Sequence, residues 1–177
     1  MNNKSKCLKK SPAIIIMKRE LQAYFTSPTA YIVTGLFLLI CGIIFFSTFF
    51  LQNRADLRSF FVLLPMLLSF FVPALTMRLF SEESKSGSLE TLMTLPVNEV
   101  HVVTGKFLAS FVSTLIMISP SIFYVITTAI FGDPDFGPII GGYVGTIFLC
   151  AGFTAVGVFA SAVTKNQIIA FFTGFII

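Results

Sequence analysis

Apolar and polar residues fall along this chain in long blocks. From Ala30 to Leu51 no charged residue occurs. At 1.5 Å per helical residue that block reaches about 33 Å, enough to cross a hydrocarbon core of roughly 30 Å. Blocks of the same character cover residues 59–77, 107–131 and 139–163. A further one, 168–177, starts and stops after about 15 Å. In lipid every backbone polar group must be satisfied within the chain, so blocks this long predict helices. The expectation is an all-α fold: a polytopic transmembrane helical bundle of four complete spans plus the start of a fifth. A chain that stops within an apolar block, on Gly174-Phe175-Ile176-Ile177, reads as a truncated frame or a fragment.

The segments between the blocks carry the rest of the pattern. Residues 1–12 form a basic tail without periodicity. Residues 13–27 have helical periodicity, with Ile14, Met17, Leu21, Tyr24 and Phe25 on one side and Lys18, Arg19, Glu20 and Gln22 on the other. Such a helix, directly ahead of a span, suits the membrane interface, and Ser27-Pro28 ends it. The transmembrane region is then residues 30–177. Pro65 and Pro73 in the second span and Pro120 in the third are expected kinks, because proline removes a backbone bond. In the fourth span Gly141 and Gly145 stand one turn apart, as do Ala151 and Ala155. That spacing lets helices approach closely.

Composition sharpens the picture only in part. Apolar residues make up 55% of the chain and charged ones 11%, with a mean hydropathy of +0.91, values out of reach for an ordinary water-facing domain. The net charge of +4 is unevenly placed. Of the 12 Lys and Arg, ten fall in the tail, the 13–27 helix, the 78–106 loop and at Lys165, and only Arg54 and Arg58 on the opposite side. Positive-inside reasoning puts the N-terminus and the 78–106 loop in the cytoplasm of a multi-pass cell-membrane protein. The same basic cluster reads as a topology signal rather than a nucleic-acid site, so no nucleic-acid partner is expected.

Chemistry is sparse. No complete span holds Asp, Glu, Lys, Arg or His, which speaks against a proton-coupled carrier. Gly105-Lys106 is followed by Phe107 and lacks the upstream glycine of a phosphate-binding loop. His101 has no cysteine or acid at ligand spacing, and Cys7, Cys41 and Cys150 form no CxxC pattern. No catalytic residue, metal ligand or cofactor site is expected, and the chain reads as no enzyme.

The 78–106 loop is the informative stretch. Ser88 is placed as an N-cap, Glu90 sits in the first turn, and Pro96 stops the helix. The spacing predicts about two turns with Leu89, Leu92 and Met93 on one face. Periodicity alone leaves that face for the chain's own membrane interface or for a soluble partner. The run Arg78-x-Phe80-x-Glu82-Glu83, then Gly87-Ser88-Leu89-Glu90-x-Leu92, Leu95-Pro96 and Gly105-Lys106 resembles the signature of type-2 ABC transporter permeases. Lys18-Arg19-Glu20-Leu21, with Phe25, Ser27-Pro28 and Tyr31, is similar to the elbow helix that enters the first span in that family. Within it, the chain looks most like the branch associated with gliding motility and related export or copper-maturation systems.

The resemblance implies a membrane-spanning subunit with six spans, paired as a homo- or heterodimer and bound to a separate cytoplasmic ATPase. ATP and Mg would be held by that partner, with none in this chain. Residues Gly87, Ser88, Leu89, Glu90, Leu92, Met93, Leu95 and Pro96 would form the coupling helix that docks on the ATPase. Arg78, Glu82, Glu83 and Lys106 would supply polar contacts around it, and Pro65, Pro73 and Pro120 would act as hinges. The expected function is export of an unknown substrate. Four complete spans instead of six is a departure, and it keeps a non-transporting anchor or an inactive truncated permease as the alternative. A passive channel has no charged ring or polar stripe behind it.

Overall fold

A computed structural model describes residues 12–52, 57–81, 99–132 and 135–177. Among them there is no strand. The helices are α1 (Pro12–Thr26), α2 (Pro28–Gln52), α3 (Arg58–Thr76), α4 (Glu99–Ile118), α5 (Ile122–Phe131), α6 (Phe136–Val163) and α7 (Gln167–Ile176). A 3₁₀ turn, Ser119–Ser121, joins α4 to α5. Past a turn at Met77 the second span remains helical to Ser81. Four helical stretches are long and apolar enough to cross a membrane: Pro28–Phe49, Arg58–Ser81, Glu99–Phe131 and Phe136–Val163. The chain is a multi-pass helical membrane protein.

Local chemistry sets several boundaries. Pro28 cannot donate to a preceding carbonyl and opens α2 as its first residue, where that donor is not needed. Asp135 caps α6, its carboxylate accepting from the Gly137 N–H at 3.2 Å. Asn166 caps α7 in the same way through Ile168 N–H. α4 begins at Glu99, ahead of the apolar block at 107, and its acid lies in the first turn where the helix dipole favours it.

The core forms where stripes from different spans meet. On α2, Phe37, Cys41 and Phe45 repeat every four residues. On α3, Phe60, Leu64, Leu68 and Phe71 do nearly the same, and all seven are buried. Phe37 meets Phe71 edge-on at 5.3 Å, and Tyr124 of α5 stacks on Phe45 at 4.8 Å while donating to the Leu38 carbonyl at 3.1 Å. α3 also lies against α6 and α7, and α4 against α6. Two glycines permit these approaches: a methyl group on Gly142 would stand 2.7 Å from the Phe61 ring, and one on Gly157 would stand 2.1 Å from Thr76 Oγ1.

Outside and inside are inverted relative to a water-soluble protein. Phe123 is 69% exposed and Phe148 is 74% exposed, whereas Thr76, Ser110, Ser113, Thr114, Thr128, Thr154 and Ser161 are buried. Most of these hydroxyls donate to a carbonyl one turn back on their own helix, as Ser110 does to Lys106 and Thr114 to Ser110. That bond satisfies the hydroxyl without a partner helix and leaves a small side chain that packs closely.

α3 runs through Pro65 and Pro73 as one helix, with Pro73 buried beneath α7, where Gly174 approaches its ring. Pro120 falls in the 3₁₀ turn that separates α4 from α5.

Candidate functional site

The spans run alternately up and down, so the end of α1, the start of α2, residues 77–81, the start of α4 and the end of α6 gather at one end of the bundle. This basic end carries Arg78 and Lys106.

Residues 77–81 are where a helix ends, and helix ends leave backbone groups without partners. Ser161 of α6 supplies them. Its hydroxyl donates to the Met77 carbonyl at 3.1 Å and accepts from the Phe80 and Ser81 N–H groups at 3.0 and 3.3 Å. The Ser81 hydroxyl also donates to the Met77 carbonyl.

Lys106 ties the same segment to α4 and α1. Its side chain is fully buried, and its Nζ donates to the Leu79 carbonyl at 2.6 Å and to Glu20 Oε1 at 3.3 Å. The ammonium lies 4.9 Å from the centre of the Phe80 ring, close enough for a cation–π attraction. Glu20 is 14% exposed and is also paired with Arg19 at 3.1 Å. One residue earlier, Gly105 admits the elbow helix: a methyl group there would meet the Ala13 carbonyl at 2.8 Å and Ile16 at 3.0 Å.

Arg78 makes the third tie, to the break between α1 and α2. Its Nη1 donates to Thr29 Oγ1 at 2.7 Å and to Ser27 Oγ at 3.3 Å, and these two hydroxyls lie 2.7 Å apart across Pro28. Its Nε is buried without a partner, and the Tyr24 hydroxyl, also buried, has Thr34 as its hydrogen-bonding neighbour. Burial pushes the Tyr24 phenol above its ordinary value of 10.0, so at neutral pH it carries its proton. Beside them is a cavity of about 380 Å³ between α1, the start of α2 and the end of α3.

Of the residues singled out from sequence, Arg78 and Lys106 meet here on the two sides of Leu79 and Phe80. Glu82, Glu83 and the stretch from Gly87 to Pro96 lie outside the described residues. Pro65, Pro73 and Pro120 belong to the spans and touch none of these bonds. The wheel of residues 13–27 needs correction at one position: Glu20, placed with the polar side, turns inward to Lys106, while Ile14 and Phe25 on the apolar side are 47% and 38% exposed, as the outer face of an interfacial helix is. The packed face is Ala13, Ile16, Met17, Glu20 and Tyr24, set by Gly105 and Lys106 on α4 rather than by hydrophobicity alone. Glu20, Thr29 and Ser161 are the site residues that sequence reasoning missed. An acid on an interfacial helix ahead of a lysine at the mouth of a later span is the signal that pairs Glu20 with Lys106. Ser161 has no such signal, being one hydroxyl among many.

Among the described residues no group of three His, Cys, Asp or Glu side chains could hold a metal ion. The arrangement is a set of hydrogen bonds and an ion pair that fastens residues 77–81 to α2, α4 and α6, and through Lys106 to α1.

Neither the curated proteins nor the solved structures yield a match to this chain. A family model does, over residues 22–177, and its description is ABC-2 family transporter protein. From Gln22 through every span to the last residue, then, the chain belongs to the ABC-2 family of transporter membrane proteins.

Proposed function

We propose that this chain is the permease subunit of an ATP-driven exporter, and that the loop 82–98 receives the motion of a separate cytoplasmic ATPase. The observation that carries this reading is the fastening of residues 77–81. A force applied at residue 82 enters a segment bonded at once to Ser161 of α6, to Lys106 of α4, and through Arg78 to Ser27 and Thr29, with Lys106 carrying the contact on to Glu20 of α1. Packed elements shift as units between discrete arrangements. The bonds therefore supply a path from loop to spans. The basic end faces the cytoplasm on this reading, which agrees with the Lys and Arg bias. The ATPase holds the nucleotide and Mg. A second permease subunit completes the pathway, and the resemblance of the loop to the gliding-motility branch supports export as the direction.

Within the loop, Gly87 to Pro96 forms the docking helix, with Leu89, Leu92 and Met93 toward the ATPase and Glu82, Glu83 and Glu90 around it. The test is co-purification of the tagged chain from its native membranes, with Leu89→Lys alongside. The expected result is an ATPase bound to the native chain and lost from the variant. An ATPase that stays bound to Leu89→Lys removes the docking role. No ATPase with either chain leaves a membrane anchor as the function and overturns the exporter reading.

A further inference from the structure

Arg78 presents an unbalanced charge. It is half-buried at the end of a span, and the groups its Nη1 bonds are neutral hydroxyls. Its Nε is shut off from solvent with nothing to bond. Among the described residues no carboxylate lies within ion-pair distance of it. The nearest acid to consider is Glu20, which lines the same cavity, but that carboxylate is already taken by Lys106 and Arg19. A cation withdrawn from water without a counterion is costly. The Tyr24 hydroxyl, buried with Thr34 as its hydrogen-bonding neighbour, lines the cavity with Arg78.

The cavity also has an apolar part. Val33 of α2 and Ala74 and Leu75 of α3 form wall continuous with the spans. Its volume of about 380 Å³ falls in the range of small-molecule sites. An occupant that satisfies both parts needs an anionic oxygen for the guanidinium and a hydrocarbon portion for the wall. Arginine matches a phosphate because its planar N–H groups pair with two oxygens at once. The elbow helix, which covers the cavity, lies where an interfacial helix meets lipid headgroups.

We infer that the cavity between α1, α2 and α3 binds an anionic phospholipid, with Arg78 holding the phosphate, Tyr24 beside it, and the first methylenes of the lipid against Val33, Ala74 and Leu75. The lipid completes the charge of the basic end and wedges the elbow helix to the two spans. This site is separate from the ATPase-docking loop, and its failure would leave the permease reading untouched.

The test is native mass spectrometry of the purified full chain in detergent, titrated separately with phosphatidylglycerol, phosphatidylcholine and inorganic phosphate. Both lipids carry the phosphate, but the choline of phosphatidylcholine offsets its charge, so the native chain is expected to retain phosphatidylglycerol about tenfold more tightly, the scale of one charge-assisted contact. Inorganic phosphate is expected to add nothing at matched concentration. Arg78→Gln should erase the preference. Because that variant also loses the Ser27 and Thr29 bonds, Ala23→Phe serves beside it: Ala23 is exposed on α1 and lines the cavity, so the ring fills the space and leaves Arg78 in place. It should weaken phosphatidylglycerol binding by a similar factor. Lys165→Gln, which removes a cation outside the cavity, should change neither. Equal retention of the two lipids by the native chain overturns the proposal. So does binding of phosphate alone as tight as that of phosphatidylglycerol, and so does undiminished binding by Ala23→Phe.

Discussion

Replacing Lys106 with methionine removes the ammonium and keeps most of the stem volume. Three contacts change together. The Leu79 carbonyl loses a donor at 2.6 Å, Glu20 loses a partner at 3.3 Å, and the Phe80 ring loses its cation at 4.9 Å. Breaking a fully buried ion pair by removing one member costs about 3–5 kcal/mol. The present pair is less extreme, because Glu20 is 14% exposed and keeps Arg19 at 3.1 Å. The main loss is then the charge-assisted bond to Leu79, about 1.5–3 kcal/mol, with the thioether recovering some packing against Phe80. The expected destabilisation is about 2–3 kcal/mol.

The assay is reversible unfolding of the purified chain in mixed detergent micelles, run as a cycle with Glu20→Gln. If the two groups act as one unit, the double variant costs less than the sum of the singles by about 1 kcal/mol or more. A Lys106→Met chain within about 0.5 kcal/mol of the native one, the range of ordinary surface changes, refutes the view that this junction holds the loop root. So does strict additivity with Glu20→Gln as far as the elbow helix is concerned.

Three further outcomes follow from the same contacts. Gly105→Leu should lift α1 away from α4, since even a single methyl there stands 2.8 Å from the Ala13 carbonyl; the cost is about 1–3 kcal/mol, and a cysteine placed at Ile16 should gain reactivity toward a water-soluble maleimide. Gly157→Ala should destabilise by a similar amount against Thr76 Oγ1, with Thr76→Ala restoring most of the loss in the double variant; failure of that rescue removes the α3–α6 contact as the cause. Ser161→Ala leaves the Phe80 and Ser81 N–H groups without their acceptor, which should cost about 1–3 kcal/mol and speed amide hydrogen exchange at those two positions more than along the rest of α3.

The spans were readable from sequence because the lipid solvent imposes a coarse rule: uncharged blocks long enough to cross must be helices. The start of α2 was written in Ser27-Pro28, whereas the caps of α6 and α7, Asp135 and Asn166, emerge only in the structure. Arg78 and Lys106 stood out because they belong to the run that resembles the permease signature. Which face of α1 packs was not legible. Periodicity leaves Ile14, 47% exposed, and Ile15, 59% exposed, free to face lipid, but it places an acid with the polar side and does not show that Glu20 gains a buried lysine by facing in. A helix surrounded by neighbours and lipid continues through Pro65 and Pro73, and only Pro120, preceded by Ser119 and followed by Ser121, becomes a separate 3₁₀ turn.

The positions of the breaks limit what motion the fold allows. α1 is bonded to α4 through Glu20 and Lys106, and residues 77–81 are bonded to α4, to α6 and, through Arg78, to Ser27 and Thr29, so these parts of the basic end share their contacts and tend to shift together. The chain is interrupted just beyond them, at Ser27-Pro28 on the way into α2 and at Ser119–Ser121 between α4 and α5. Pro28 and Pro120 have no backbone N–H to donate at those two points, so they absorb dihedral change at lower cost than the helices on either side. A tilt of the basic end is then expressed as a change of angle between α1 and α2 and between α4 and α5. The far half of the bundle is held by Phe45, Tyr124 and Tyr143, whose ring contacts and bonds to Leu38 and Ser121 bridge α2, α5, α6 and the 3₁₀ turn. The contact of the Tyr143 hydroxyl with Ser121 at 3.0 Å falls at the interruption itself, which makes that turn the place where a displacement entering at the loop root meets the half of the bundle that resists it.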